Sequence, residues 1–281
     1  MELFLQILLA VLAVGAVGGF FGLVLAIASK VFETEKDEYF DPIMAVLPGA
    51  NCGGCGFAGC ANFAEAVIKG NAEVNGCPVG GEATSEKIAH ILGVETKKNT
   101  RLSAFVKCSG GNNARKKFVY EGISDCHAAM RVSNGPTECV YGCLGLGSCV
   151  SACKFGAISI RNGVALIDHD LCTGCQACVE TCPKHIIHAV PYFSDVNVAC
   201  SSKDKGGQLR QICNIGCLGC RICEKTCQYD AIHVGDNLAE IDYEKCTGCG
   251  ECAAKCPRKL ISDAKLDRSP MVSGEGEKTS A

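Results

Sequence analysis

The chain of 281 residues has no tryptophan, and aromatic side chains make up only 6% of it. A chain so poor in large core residues needs another source of cohesion, which bound inorganic clusters can supply. Its formal charge of −3 is small and does not point to a nucleic-acid partner. There is no G-x-G-x-x-G opening a helix after a strand and no Walker run, so nothing reads as a nucleotide loop. Nor is there a Ser/His/Asp arrangement to argue for hydrolysis.

What the sequence has is cysteine, 24 in all, and 33 glycines. Such density means a disulfide scaffold or a metal protein. Disulfide scaffolds are typically short secreted domains, and this chain is long.

Residues 3–29 carry no formal charge. As a helix they would extend about 40 Å, enough to cross a bilayer. The start, MEL, is acidic and the apolar run is too long for a secretion signal. A buried soluble helix is the plainer alternative. Gly15/Gly19 and Gly18/Gly22 are G-x-x-x-G pairs that would let a partner helix approach closely. Lys30 is followed by the acidic run ETEKDE, so flanking charge leaves orientation undecided. Thiolate ligands need a reducing compartment, which places the rest of the chain on the cytoplasmic side of the membrane.

The expected organisation is α+β. Residues 1–30 form a single N-terminal transmembrane anchor and 31–48 a linker. Residues 49–93 form a small helical four-cysteine module, with helices expected over 61–70 and 85–93. Residues 94–195 and 196–265 are two tandem bacterial-type, ferredoxin-like two-cluster units, and 266–281 is a polar, disordered tail. The lead of the first unit is basic: Lys97, Lys98, Arg101, Lys107, Arg115, Lys116 and Lys117.

The two units are an internal duplication. Cys153-KFGAISIRNGVALIDHDL-Cys172 aligns with Cys227-QYDAIHVGDNLAEIDYEK-Cys246 at an offset of 74 residues. Each segment reads as strand, turn, strand. Upstream, AFVKCS and NVACSS both read as a strand followed by Cys-Ser.

Cys172, Cys175, Cys178 and Cys182, followed by Pro183, spell C-x2-C-x2-C-x3-C-P. Cys246, Cys249, Cys252, Cys256 and Pro257 repeat it. Cys217, Cys220, Cys223 and Cys227 share the spacing, with Gln228 in place of proline. In this run three thiolates grip one [4Fe–4S] cube and the fourth ligates the neighbouring cube. The pairing expected is therefore Cys217, Cys220, Cys223 with Cys256, and Cys246, Cys249, Cys252 with Cys227. In the first unit Cys172, Cys175 and Cys178 take Cys153. The irregular run over 139–153 offers Cys139, Cys143 and Cys149, which take Cys182. Zinc or disulfides are the competing readings. His185 and His188 follow Cys182 and are read as surface or supporting residues, because cysteines already complete the ligand set.

Earlier in the chain, NCGGCGFAGC places Cys52, Cys55 and Cys60 as C-x2-C-x4-C, and Cys77 supplies a fourth thiolate. Four thiolates without histidine favour [4Fe–4S], with zinc the minority reading. Cys108, Cys126, Cys200 and Cys213 remain. They are either ligands of a sixth cluster, two per repeat, or buried free thiols.

An anchor, a C-x2-C-x4-C-x16-C module and duplicated ferredoxin runs, in that order, resemble the B subunit of the Rnf family of membrane-bound, ion-translocating ferredoxin:NAD oxidoreductases. The resemblance covers roughly residues 1–265, and this chain looks like a longer form with two ferredoxin units. The resemblance implies an enzyme subunit that takes electrons from reduced ferredoxin and relays them to membrane and flavin-bearing partners. It carries five [4Fe–4S] clusters, with four cysteines as candidates for a sixth, and binds no flavin or NAD itself. The basic stretch then becomes a candidate docking face for an acidic ferredoxin. Competing readings are a polyferredoxin-type accessory subunit of a hydrogenase or corrinoid enzyme, and a non-enzymatic redox scaffold.

Overall fold

The structure, a computed structural model, describes residues 2–31, 37–96 and 100–263. Lys97, Lys98, linker residues 32–36 and the tail 266–281 lie outside the described residues.

Helix α1 spans Glu2–Val31. Its described large side chains are exposed, Phe4 at 75% and Val14 at 73% among them. Among the described residues, no helix is long and apolar enough to cross a membrane.

Three helices build the next module: α2 (Phe40–Val46), α3 (Cys60–Ile68) and α4 (Gly81–Leu92). They bury Ile43, Phe63, Val67 and Ile88 against one another. Residues 40–46, expected within a linker, are thus part of the module core, with Ile43 wholly buried. The start of α3 is fixed by Asn51, whose Oδ1 accepts from the Cys60 amide at 2.8 Å. At its far end, α4 stops at Gly93 in the left-handed conformation, a common helix terminator.

The first ferredoxin unit contains β1 (Leu102–Val106), α5 (Cys126–Met130), α6 (Ser148–Ala152), β2 (Ile158–Arg161), β3 (Val164–Ile167), α7 (Ala177–Thr181) and β4 (Ile187–Pro191). The second contains β5 (Val196–Val198), α8 (Gly206–Ile212), α9 (Ile222–Thr226), β6 (Ile232–Gly235), β7 (Leu238–Ile241), α10 (Glu251–Lys255) and β8 (Ile261–Asp263). In each unit the first and last strands pair antiparallel, β1 with β4 and β5 with β8. The central strands form a hairpin, β2 with β3 and β6 with β7. Both hairpins turn on two residues with positive φ, Asn162-Gly163 and Asp236-Asn237, as a type I′ turn requires.

The helices facing these sheets are only five residues long. Helices so short do not persist alone. They pack in pairs, α6 with α7 and α9 with α10. Each carries one cysteine inside and ends at another: Cys149 and Cys153, Cys178 and Cys182, Cys223 and Cys227, Cys252 and Cys256. All four terminal cysteines have extended backbone. The chain therefore leaves the helix there and carries the fourth thiol away from the first three.

Candidate iron–sulfur sites

Cys52, Cys55, Cys60 and Cys77 line one cavity beneath Phe63. Cys217, Cys220, Cys223 and Cys256 line a second, and Cys227, Cys246, Cys249 and Cys252 a third. Cys178 is surrounded by Cys172, Cys175, Cys149 and Cys153, whose charges act on its thiol. These groupings follow the alternation set up by the short helices.

The irregular run differs from expectation. The cavity holding Cys143, Cys149 and Cys182 is lined by Cys126, and Cys139 does not line it. Register explains this. The offset of 74 that relates the hairpins also relates Cys143 to Cys217, Cys149 to Cys223 and Cys182 to Cys256. It sets Leu146 opposite Cys220. The run is thus regular from Cys143 onward, with leucine in place of its middle cysteine. Gly145 and Gly147 have φ of 71° and 82°, matching Gly174 and Gln176 at 70° and 63° in the regular run.

Cys126 reaches the cavity from the loop before α6. The Ser124 hydroxyl donates to the Leu146 carbonyl at 3.3 Å, and the Cys126 amide donates to Ser148 Oγ at 2.7 Å. Ser148 donates in turn to Asp125, which caps α5 through the Ala128 amide at 2.8 Å. That amide first, and then the Ser148 hydroxyl, hold the Asp125 carboxyl below its usual range. The signal that could have found Cys126 is the constant offset carried through Leu146.

Cys139 instead lines a fifth cavity together with Cys108, Cys200 and Cys213. Cys143 borders this cavity too, and so lies between it and the cavity of Cys126, Cys149 and Cys182.

The surroundings fit a thiolate-held cluster. Burial pushes the Cys143 and Cys178 thiols up to about 12, and Cys139, Cys149, Cys223 and Cys252 to about 11. Free of metal these thiols keep their protons at neutral pH, and metal must displace them on binding. Backbone amides already point at sulfur: Gly80 at Cys77 (3.3 Å), Ala104 at Cys172 (3.4 Å) and Ala231 at Cys227 (3.4 Å). Such donors stabilise thiolate and tune a cluster's potential. Thr173 Oγ1, beside Cys172, is buried without a hydrogen-bond partner. Among the described residues no group of three or more His, Cys, Asp or Glu side chains is gathered to hold a single metal ion. The thiols ring cavities rather than meeting at a point.

The basic stretch is partly engaged. Arg101 stacks on Tyr192 at 3.7 Å and donates to the Cys172 carbonyl. Lys107 pairs with Glu240 at 3.7 Å, and Arg115 with Glu138 at 3.6 Å. Lys117 donates to the Ser133 carbonyl, while Lys116 is exposed.

Two duplicated pairs of four-thiol sets on hairpin units, preceded by a four-thiol helical module, define an iron–sulfur protein of the ferredoxin class. Residues 47–79 match the family described as a putative Fe–S cluster, residues 216–260 a 4Fe-4S dicluster domain, and residues 165–188 a 4Fe-4S binding domain. The match in the first unit begins after the run that lacks its middle cysteine. The chain is 45% identical to the B subunit of the ion-translocating oxidoreductase complex of Methanosarcina acetivorans, over 85% of this chain and 92% of that one. It is 46% identical to the B subunit of a sodium-translocating ferredoxin:NAD(+) oxidoreductase complex from Acetobacterium woodii, over 91% and 78%. To the B subunit of a proton-translocating ferredoxin:NAD(+) oxidoreductase complex from Clostridium ljungdahlii it is 45% identical, over 87% and 88%. The chain belongs to the family of B subunits of ion-translocating ferredoxin:NAD oxidoreductases.

Proposed function

We propose that this chain is the multi-cluster electron carrier of such an oxidoreductase complex, taking electrons from reduced ferredoxin and passing them to the complex's membrane and flavin-bearing subunits. The observation that carries the reading is the sorting of cysteines into four-thiol sets across duplicated ferredoxin units. Five sets answer to the ferredoxin runs and the N-terminal module: Cys52, Cys55, Cys60, Cys77; Cys126, Cys143, Cys149, Cys182; Cys153, Cys172, Cys175, Cys178; Cys217, Cys220, Cys223, Cys256; and Cys227, Cys246, Cys249, Cys252. A [4Fe–4S] cluster bound in each supplies reversible one-electron chemistry. The chain's own part is to supply thiolates, aim amides at sulfur and bury the set.

The proposed setting is the cell membrane, with the uncharged run 3–29, several of whose side chains lie outside the described residues, as a single-pass anchor and the cluster units on the cytoplasmic side. Supporting it are the uncharged run 3–29 and the exposure of Phe20, Phe21, Leu23 and Leu25. Thiolate ligands favour the reducing side.

Ferredoxin docking is proposed at the basic stretch, centred on exposed Arg115, Lys116 and Lys117. The test mixes chemically reduced ferredoxin with the anaerobically purified chain and follows loss of ferredoxin's reduced spectrum. Rapid oxidation is expected, slowed at low salt by Lys116→Glu with Lys117→Glu and converging with wild type as salt rises. A chain that dithionite reduces but ferredoxin does not would overturn the assignment. An unchanged rate in the charge-reversed variant would remove the docking face alone.

A further inference from the structure

We infer that Arg258 raises the redox potential of the Cys217 set above that of the Cys227 set, so that electrons run downhill from the Cys227 set to the Cys217 set. The inference rests on the iron–sulfur reading above and gives one residue of the chain a part in directing transfer.

The sequence carries the asymmetry. Each of the short connector helices ends at a cysteine, and the residue two places beyond it alternates in kind. After Cys182 and Cys256 it is basic, Lys184 and Arg258; after Cys153 and Cys227 it is aromatic, Phe155 and Tyr229. The offset of 74 that relates the two units relates Lys184 to Arg258 and Phe155 to Tyr229. Each unit thus repeats the same unequal pair.

These side chains lie against different sets. Arg258 lines the cavity of Cys217, Cys220, Cys223 and Cys256, and Lys184 lines that of Cys126, Cys143, Cys149 and Cys182. Tyr229 lines the Cys227 cavity, where none of the described lining residues is basic and Glu251 is acidic. Arg258 is also fixed in place. Its Nη2 donates to the Cys213 carbonyl at 2.9 Å, while its Nε is buried with no hydrogen-bond partner. Val234, Leu260 and Ile261, which line the same cavity, are buried and apolar. A guanidinium N–H buried beside such walls needs an acceptor, and a cluster held by the four thiolates brings sulfur acceptors and negative charge. Lys184 is tied down in a similar way, its Nζ donating to the Asn134 and Val140 carbonyls at 2.8 and 2.9 Å. Arg221 lines the Cys217 cavity too, but it pairs with Glu224 at 3.4 Å and its side chain is 61% exposed, so the carboxylate and water offset its charge.

The direction follows from charge. One-electron reduction adds a negative charge to a cluster. Arginine stays cationic throughout the working pH range, so it favours the reduced state and raises the potential. The effect is largest where burial leaves the charge poorly screened. Tyr229 brings no charge to the Cys227 set, and Glu251 acts in the opposite sense. Cys213, whose carbonyl Arg258 holds, bridges to Ala114 of the first unit. The downhill step therefore leads toward the first unit.

The test is a redox titration of the full chain, purified anaerobically and followed by the EPR signals of its reduced clusters, with iron and acid-labile sulfide counted alongside. Arg258→Gln removes the charge and keeps an amide able to donate to the Cys213 carbonyl. One component should titrate lower, its reduced-to-oxidised ratio falling about tenfold at a fixed potential, which is about 59 mV for one electron. It should be the component lost in Cys217→Ala with Cys220→Ala; movement of another component instead would overturn the inference. Arg258→Lys should titrate close to wild type, and an equal fall there would show that charge is not the cause. An unchanged titration in Arg258→Gln, with iron and sulfide at wild-type counts, would overturn the inference and leave the iron–sulfur reading intact. A wild-type chain without iron and sulfide would overturn that reading itself. Should Arg258→Gln not fold, Tyr229→Lys decides at the equivalent, 48% exposed position. A component moving to higher potential supports the inference, and no movement overturns it.

Discussion

Leu146 shows how one residue redirects a ligand set. A regular run needs a thiol where Leu146 stands, between the turn residues Gly145 and Gly147, and leucine cannot provide it. In the proposed set Cys126 takes that place, lining the cavity from a segment pinned by Ser124, Asp125 and Ser148. Cys126→Ala is expected to lose up to about four irons per chain, and adding Leu146→Cys should restore them, because the ferredoxin spacing is then complete. Iron analysis of the pair checks this; failure of Leu146→Cys to restore iron in a folded chain would count against the register. The regular runs and the Cys52 set were legible in the sequence because fixed spacing imposes their geometry. Cys126 was not, because its approach depends on tertiary contacts across an 18-residue surplus that spacing does not constrain.

At the level of elements, the five-residue helices work as connectors between the cavities, each ending at a cysteine with extended backbone, and the C-x3-C step across each helix is what the expected cross-pairing was read from. Hairpins were equally legible, since Asn162-Gly163 between apolar runs demands a type I′ turn. Helix α2 was missed: seven residues, FDPIMAV, give too little periodicity, and its burial depends on α3 and α4. Helix α1 contributes no cysteine and leaves its described apolar side chains uncovered. On the proposal that the run 3–29 is the anchor, deleting residues 2–31 should release the chain into the soluble fraction with its iron content unchanged. Retention of the truncated chain on membranes washed at high salt would point to attachment elsewhere.

For the whole molecule, the contact of the N-terminal module with the first unit decides whether the proposed Cys52 set joins the path through the ferredoxin units. Gly54 leaves no room for a side chain, its Cβ position lying 2.9 Å from Cys175 Cα and 3.1 Å from Pro78. Gly54→Val should push the module off, costing about 1–3 kcal/mol of docking as overpacking does. Hydrogen exchange is then expected to rise at the 51–56 loop and around Cys175 while α3 stays protected. Unchanged exchange at both loops would show that the contact does not hold the module.

The central claim is that this chain's thiols hold iron–sulfur clusters and nothing else. Metal analysis of the full-length wild-type chain, purified without oxygen, tests it most directly. The account predicts about 20 irons and as many acid-labile sulfides per chain for the five proposed sets, at four of each per cluster, with no stoichiometric zinc. Zinc in whole-number amounts, or iron without sulfide, would contradict it.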